Sequence, residues 1–152
     1  MTPETADVSR LYRDRVLDHS RNPRNSRRIP EPDARAEGHN PLCGDKVAVY
    51  LQIEDGRIRD AAFEATGCAI SIASASMMTE TVRDQSIATA RAAIHDAEAT
   101  FAGGVDSPPG ELAALAAVRA YPSRIRCALL PWRTLAAALA GQAGTVSTEQ
   151  GT

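Results

Sequence analysis

Three cysteines and one aspartate are the residues of this 152-residue chain whose types and spacing are most able to do chemistry. Cys43 and Asp45 are separated by a single glycine, 22 residues then lead to Cys68, and 58 more lead to Cys127. Three thiolates and a carboxylate form a donor set suited to tetrahedral zinc or to an iron–sulfur cluster. The alternative is that these cysteines fill core space as small hydrophobic residues. Their spacing is not that of a generic zinc finger, so the local context of each cysteine is needed to distinguish a metal site from core filling.

All three cysteines fall at predicted element boundaries. Cys43 lies in a turn before a strand, Cys68 begins a helix, and Cys127 is expected just ahead of the last helix. The unpaired N–H groups and partial positive charge of a helix N-terminus favour a thiolate over a thiol. A hairpin that brings the Cys43 turn near the end of the second strand would place Cys43, Asp45 and Cys68 at one end of the sheet. The last helix then has to deliver Cys127 to the same place.

Hydrophobic periodicity predicts the elements that position these residues. A period of two predicts two strands paired through the turn at Asp55-Gly56, and helical spacing predicts helices on both sides of them. Residues 23–41 are interpreted as an extended, partly looped connection, and Pro131 is placed in the first turn of the last helix. Antiparallel strands followed by helices on one face predict an α+β fold, with a small antiparallel β-sheet of about three strands packed against helices. The predicted strands are 46–53 and 58–65, and the predicted helices are 8–22, 69–82, 87–101, 111–120 and 128–140.

Length and composition predict one domain, residues 8–140, with flexible tails at 1–7 and 141–152. The net charge of −2 gives no general attraction to nucleic acid or to acidic membranes. No apolar run approaches the roughly 20 residues that span a bilayer, and the N-terminus lacks the apolar region of a secretory signal. We therefore expect a cytoplasmic protein.

Two further features are interpreted as structural. Between residues 10 and 35 there are eight arginines against four acids, which we interpret as a solvated face rather than a docking surface. His39 precedes the first cysteine and is interpreted as a loop histidine rather than a ligand. His19 and His95 lie within predicted helices and are expected to be structural or surface residues.

At the cysteine motifs the sequence resembles the NifU N-terminal/IscU-like family of iron–sulfur cluster assembly proteins, in particular its SufU branch. The resemblance extends from about residue 9 to residue 140 and implies an IscU/SufU-like fold, with a metal site at one exposed end of a small antiparallel sheet. The segments that carry it are LYRDRVLDHSRNPRN (11–25), HNPLCGD (39–45), TGCAIS (66–71) and RIRCALLPW (124–132).

The resemblance also implies ligands, cofactors and partners. Carried over by motif, the metal ligands would be Cys43, Asp45, Cys68 and Cys127. Proteins of the SufU type are zinc-dependent sulfurtransferases, which accept persulfide sulfur from the pyridoxal-phosphate cysteine desulfurase SufS and pass it toward the SUF cluster-assembly proteins. Neither nucleic acid nor a membrane is an expected partner.

Two residues are predicted to act in the sulfur transfer itself. We expect Cys43 to be the nucleophile, because its turn contains Gly44 and can move, whereas the other cysteines are tied to helix starts. Arg124 is predicted to pair with Asp45 when that carboxylate leaves the metal, on the basis of their expected nearness.

Iron–sulfur scaffolds of the IscU type, which hold a [2Fe–2S] cluster on the same residues, are the alternative. Scaffolds typically carry His directly before the third cysteine, whereas this chain has Arg126, which cannot ligate a metal. The stretch 121–125 reads YPSRI where scaffolds carry an LPPVK-like chaperone motif, and the gap between Cys68 and Cys127 is longer than in scaffolds. These departures favour the sulfurtransferase; a structural zinc module that only recruits partners is the third interpretation.

Overall fold

A computed structural model describes residues 14–41, 44–102, 122–141 and 145–147 of the chain. Cys43 and the predicted helix 111–120 lie outside the described residues. We label the helices and strands in chain order. The elements are α1 (within 14–21), β1 (Ala34–Asn40), β2 (Asp45–Glu54), β3 (Arg57–Thr66), α2 (Ala69–Val82), α3 (Ile87–Phe101), α4 (Pro122–Leu139) and β4 (Thr145–Ser147).

The predicted hairpin is confirmed as β2 and β3, the central pair of the sheet. The sheet order is β3-β2-β1-β4, with β1, β2 and β3 antiparallel and β4 parallel to β1. Asp55 and Gly56 both have positive φ, 53° and 73°, as a two-residue hairpin turn requires. Helices α2 and α3 have the predicted bounds.

Strand β1 lies inside the segment that we interpreted as a partly looped connection, so that interpretation is wrong for Ala34–Asn40. Its buried residues are Ala36, Gly38 and Asn40, which are small or polar and give no apolar alternation. A Cβ on Gly38 would lie 2.9 Å from Leu130 Cδ1, so this glycine is what allows α4 to pack closely on β1.

The last helix begins six residues earlier than predicted. Helix α4 starts at Pro122, whose fixed φ and missing N–H suit a first helical position. Pro131 therefore lies in the interior of α4 and not in its first turn. Because proline has no N–H, Pro131 cannot donate a hydrogen bond to the Cys127 carbonyl. Thr145–Ser147, which we placed in a flexible tail, form the short strand β4 beside β1.

The predicted α+β architecture is confirmed, with helices on one face of the sheet. Val47, Val49 and Leu51 of β2 point into the main core, which also contains Met77 of α2 and Trp132 of α4. None of the helices in the described part of the chain combines the length and apolar character that a bilayer crossing requires.

The arginine-rich segment before β1 packs on part of the other face of the sheet. Ile29 from this segment packs on Tyr50 and Ala62. Three arginines of this segment, and Arg35 in β1, are paired with nearby carboxylates, as in a solvated face with internal charge compensation. These pairs are Arg24–Asp18 at 2.7 Å, Arg27–Asp60 at 2.6 Å, Arg28–Glu64 at 3.2 Å and Arg35–Glu37 at 2.6 Å.

Candidate functional site

Three elements meet at one end of the sheet and bring three of the four predicted ligands together. Asp45 is the first residue of β2, Cys68 immediately precedes α2, and Cys127 lies on α4. One potential ligand atom from each of the three residues lies within 4.8 Å of the other two. The fourth predicted ligand, Cys43, lies outside the described residues, two positions before Asp45 in the chain.

The carboxylate of Asp45 is held against the start of α2. Its Oδ1 accepts a hydrogen bond of 2.8 Å from the Cys68 backbone N–H, and its Oδ2 lies 3.5 Å from Cys68 Sγ. Gly67 makes this approach possible: its φ is +139°, and a Cβ there would lie 2.8 Å from Asp45 Cγ and 2.9 Å from Asp45 Cα. A side chain at position 67 would therefore displace the carboxylate or the backbone beneath it.

Cys127 is fully buried in the second turn of α4. The prediction that it stands ahead of the helix is wrong, because α4 begins at Pro122, and the helix-terminus argument for its thiolate does not apply. Its Sγ lies 3.8 Å from the Ser123 carbonyl and 3.9 Å from Asn40 Nδ2. Protein dipoles, rather than water, surround this sulfur.

Cys68 is half-buried and has the electrostatics of a reactive thiol. A hydrogen bond from Cys127 is the largest cause that lowers the pKa of Cys68 to about 6. Backbone N–H groups of Ser71 and Ile70, at the start of α2, act in the same direction, whereas burial and the charge of Asp45 oppose them. Near neutral pH, Cys68 is therefore mostly a thiolate when no metal is bound.

Arg124 lies beside the two sulfurs, on the exposed first turn of α4. The charge of Cys68 is the largest cause that raises the pKa of Arg124, followed by a hydrogen bond to Cys127. The arginine thus supplies positive charge to the thiolates on the solvent side. Its predicted pairing with Asp45 stays a prediction.

The donor set fits a tetrahedral metal ion. With metal–sulfur and metal–oxygen distances of about 2.3 and 2.0 Å, neighbouring ligand atoms on a tetrahedron lie about 3.5 Å apart. The Cys68 Sγ to Asp45 Oδ2 distance is 3.5 Å. Two sulfurs and a carboxylate oxygen suit zinc and iron alike, so the geometry does not choose between them.

The histidines lie apart from this group in the described part of the chain. His39 is in β1, opposite Lys46, so its interpretation as a loop residue is wrong. It is not among the three clustered ligands. His19 is buried, with its Nδ1 2.7 Å from Ser76 Oγ, which is a structural contact as predicted. The residues that sequence reasoning missed are Gly67 and Asn40, since neither residue type signals a ligand, although both adjoin the cysteine motifs.

Comparison with known proteins identifies relatives of both predicted types. The family model of the NifU-like N-terminal domain matches residues 11–128. The zinc-dependent sulfurtransferase SufU of Bacillus subtilis is 34% identical over 144 residues, covering 91% of this chain and 96% of that protein. The iron–sulfur cluster assembly scaffold protein IscU of Thermotoga maritima is 33% identical over 132 residues, covering 85% and 92%.

Solved structures show the same fold. A structure described as an iron–sulfur cluster assembly scaffold protein for the SUF system, from Fervidobacterium islandicum AW-1, matches with a TM-score of 0.80 and 33% identity, covering 85% of this chain and 96% of that one. A NifU-like N-terminal domain from Brucella abortus matches with a TM-score of 0.78 and 31% identity, covering 86% and 93%. The chain belongs to the NifU-like N-terminal domain family of iron–sulfur cluster assembly proteins, with relatives of the SufU and IscU types.

Proposed function

We propose that this protein is a zinc-dependent sulfurtransferase that accepts persulfide sulfur from a cysteine desulfurase of the SufS type on Cys43 and passes it to downstream SUF cluster-assembly proteins. The observation that carries the proposal is the cluster of Asp45, Cys68 and Cys127, in which Asp45 lies two residues after Cys43 in the chain. We place the reaction in the cytoplasm, where thiols stay reduced.

The four residues that would hold zinc are Cys43, Asp45, Cys68 and Cys127. When bound, zinc would keep the sulfurs as thiolates at neutral pH and protect them from oxidation. The carboxylate of Asp45 is the harder ligand in a sulfur-rich set, and its hydrogen bond from the Cys68 backbone N–H holds it in place. A set of three thiolates and one carboxylate is more typical of a centre that can change its ligands than of a closed structural site.

Cys43 is the nucleophile in this proposal because the other two cysteines are constrained. Cys127 has no exposed surface, and Cys68 is half-buried at the start of α2. In the transfer, the Cys43 thiolate attacks the terminal sulfur of the desulfurase persulfide. A new sulfur–sulfur bond forms on Cys43, the original sulfur–sulfur bond breaks, and the desulfurase cysteine leaves as a thiolate. No external oxidant is needed.

Arg124 is the second residue that we place in the reaction. Its exposed guanidinium beside Cys68 and Cys127 would balance the negative charge that the sulfurs carry, and it can pair with Asp45. Arg124→Ala should slow sulfur acceptance. The matched control is Arg126→Ala, which removes an exposed arginine two residues along the same helix and should leave the rate unchanged. Equal rates for the two variants would remove Arg124 from the reaction.

The second candidate function is a scaffold that holds a [2Fe–2S] cluster on the same residues. The observation in its favour is the donor set itself, which suits iron as well as zinc. The observation against a scaffold is Arg126, which directly precedes Cys127 where scaffolds typically carry His. Arginine is always positively charged and cannot ligate a metal.

The deciding experiment is desulfurase turnover with the protein titrated in, alongside metal analysis of the same sample. Strong activation with one zinc per chain, abolished by Cys43→Ala in a variant that stays folded, is the expected result. Absence of activation, with iron and acid-labile sulfide bound instead, would assign the protein to the scaffold class. Full sulfur acceptance by a zinc-binding Cys43→Ala variant would mean that Cys43 is not the acceptor. Zinc binding without any sulfur acceptance by the wild-type chain would reduce the site to a structural module.

A further inference from the structure

We propose that Asn40 is a positioning residue of the metal centre, whose side-chain amide donates to the Cys127 sulfur and stabilises it as a thiolate ligand. This inference rests on the proposed function, because it concerns how the same centre is built. Asn40 would not touch the transferred sulfur. It would act through Cys127, which is fully buried.

The fold places Asn40 directly behind the centre. It is the last residue of β1 and pairs with Asp45 across the β1–β2 ladder. Its side chain is fully buried, and its Nδ2 lies 3.9 Å from Cys127 Sγ. Its backbone carbonyl accepts a 2.8 Å hydrogen bond from the Gly44 N–H. One residue therefore contacts the sulfur with its side chain and the turn before Asp45 with its backbone.

The environment of Cys127 explains why such a donor is needed. A charged group removed from water is strongly destabilised unless protein groups replace its solvation. Cys127 has no exposed surface, whereas Cys68 is half-exposed and has the amides of Ser71 and Ile70. The Asn40 amide supplies a donor to the buried sulfur from the strand side, opposite the solvent-exposed Arg124.

The charge of the complete centre strengthens this argument. Three thiolates and one carboxylate around a divalent ion leave a net charge of two minus, of which Arg124 balances one. Hydrogen bonds to a charged acceptor are shorter and stronger than those to a neutral one. The 3.9 Å contact should therefore shorten when Cys127 is a metal-bound thiolate. Loss of a hydrogen-bonding partner of a metal ligand typically weakens metal affinity about 10–100-fold.

The test uses the full-length chain loaded with Co²⁺, whose thiolate-to-metal charge-transfer band reports on the bound sulfurs. A hydrogen bond lowers the energy of the sulfur lone pair, so Asn40→Ala should move the band to longer wavelength and weaken Co²⁺ and Zn²⁺ binding about 10–100-fold. The control is Asn25→Ala, which removes a half-buried amide that donates to Thr79 Oγ1 at 3.1 Å. Thr79 lies roughly 16 Å along α2 from Cys68, so this variant should leave the band unmoved.

A wild-type band and affinity in Asn40→Ala would overturn the role of Asn40 while leaving the metal centre intact. Failure of the wild-type chain to show any thiolate-to-cobalt band would overturn the centre itself. Because Asn40→Ala removes a buried polar group and so lowers the stability of the fold, the wild-type chain offers a second measurement. On Cd²⁺ loading, one side-chain amide proton of Asn40 should shift downfield and exchange slowly with water in the NMR spectrum. An Asn40 amide that is unchanged by the metal would also overturn the inference.

Discussion

The two ends of the β2–β3 hairpin each support the start of a helix, and they do so with different side chains. At the turn end, Ser86 precedes α3, and its Oγ accepts a 3.0 Å hydrogen bond from the Thr89 N–H. At the open end, Cys68 precedes α2 and makes no side-chain cap hydrogen bond of ordinary geometry, although the N–H groups of Ser71 and Ile70 act on its sulfur and lower its pKa. Its backbone N–H donates instead to Asp45. Serine is among the most stabilising residues at this helix position, and cysteine is not.

The glycines at the two ends differ in the same way. Gly56 has φ +73° and no atom within 4 Å of the place where a Cβ would stand. Gly67 has φ +139°, and its missing Cβ leaves room for the Asp45 carboxylate. At the turn end, glycine is needed only for the backbone conformation. At the open end, glycine also leaves room for a neighbouring functional group. The comparison indicates that the turn end is built for stability and the open end for chemistry.

The largest expected effect comes from the glycine pair. Gly67→Ala combines a left-handed backbone conformation with overlap against Asp45, so we expect a loss of about 3 kcal/mol or more in the free energy of unfolding. Metal binding should be lost as well. Gly56→Ala carries the conformational cost alone, about 1–2 kcal/mol. Denaturant unfolding and zinc titration of both variants measure the difference.

The two glycine variants also control for each other. If Gly56→Ala weakens zinc binding as much as Gly67→Ala does, general destabilisation explains both, and the two ends do not differ in function. If Gly67→Ala binds zinc normally, the contact between Gly67 and Asp45 does not position the carboxylate.

The second prediction concerns the residues that precede the two helices. Cys68→Ser should lower zinc affinity by more than about 100-fold, because it replaces a direct ligand rather than a partner of one. At pH 5.5, where Cys68 is mostly a neutral thiol, the same change should raise the free energy of unfolding of the metal-free chain by up to about 1 kcal/mol, since serine is a better cap. Ser86→Ala should do the reverse, costing about 1 kcal/mol without affecting zinc.

Calorimetric zinc titration and denaturant unfolding distinguish these outcomes. A large loss of stability in metal-free Cys68→Ser at pH 5.5 would mean that the thiol is part of the packing at this end. Weakened zinc binding in Ser86→Ala would mean that the two ends are coupled.

Sequence pattern was sufficient where the chain buries large apolar side chains in a regular period. The hairpin and helix α3 follow from such patterns, and so does the meeting of Asp45 with Cys68 at one end of the sheet. Helix α2 has the predicted bounds although serines and alanines make up much of its buried surface. Strand β1 was missed because its buried positions, Ala36, Gly38 and Asn40, fit a close approach of α4 and not an apolar pattern. Close packing of β1 on α4 depends on the side chains of both elements, so the sequence of β1 alone does not reveal it.

The start of α4 was mispredicted because proline was interpreted from local preference. Pro131 favours the first turn of an isolated helix, but packing on the sheet holds α4 together across it. This error moved Cys127 from a helix terminus to a buried interior position. It also concealed the contact with Asn40, since a buried amide beside a sulfur follows from the placement of β1 against α4.

The last prediction is a pH dependence that belongs to the open end alone. The pKa of Cys68 is lowered to about 6 in the folded chain, against about 8.5 for an unfolded thiol. Between these values the unfolded chain binds more protons, so the free energy of unfolding of the metal-free protein should rise from pH 6 to about pH 8.5 and then level off. This contribution is complete above the unfolded pKa and is lost as the pH falls through 6.

Denaturant unfolding across this pH range, in the presence of a chelator, measures the effect. The stability difference between the wild-type chain and Cys68→Ser should move in favour of the wild type as the pH rises, because serine does not ionise in this range. The difference between the wild type and Ser86→Ala should stay constant, because that cap carries no titrating group. A constant difference for Cys68→Ser would mean that the neighbouring Cys127 and the amides of α2 do not stabilise a thiolate at Cys68. The open end would then differ from the turn end in its ligands but not in its charge.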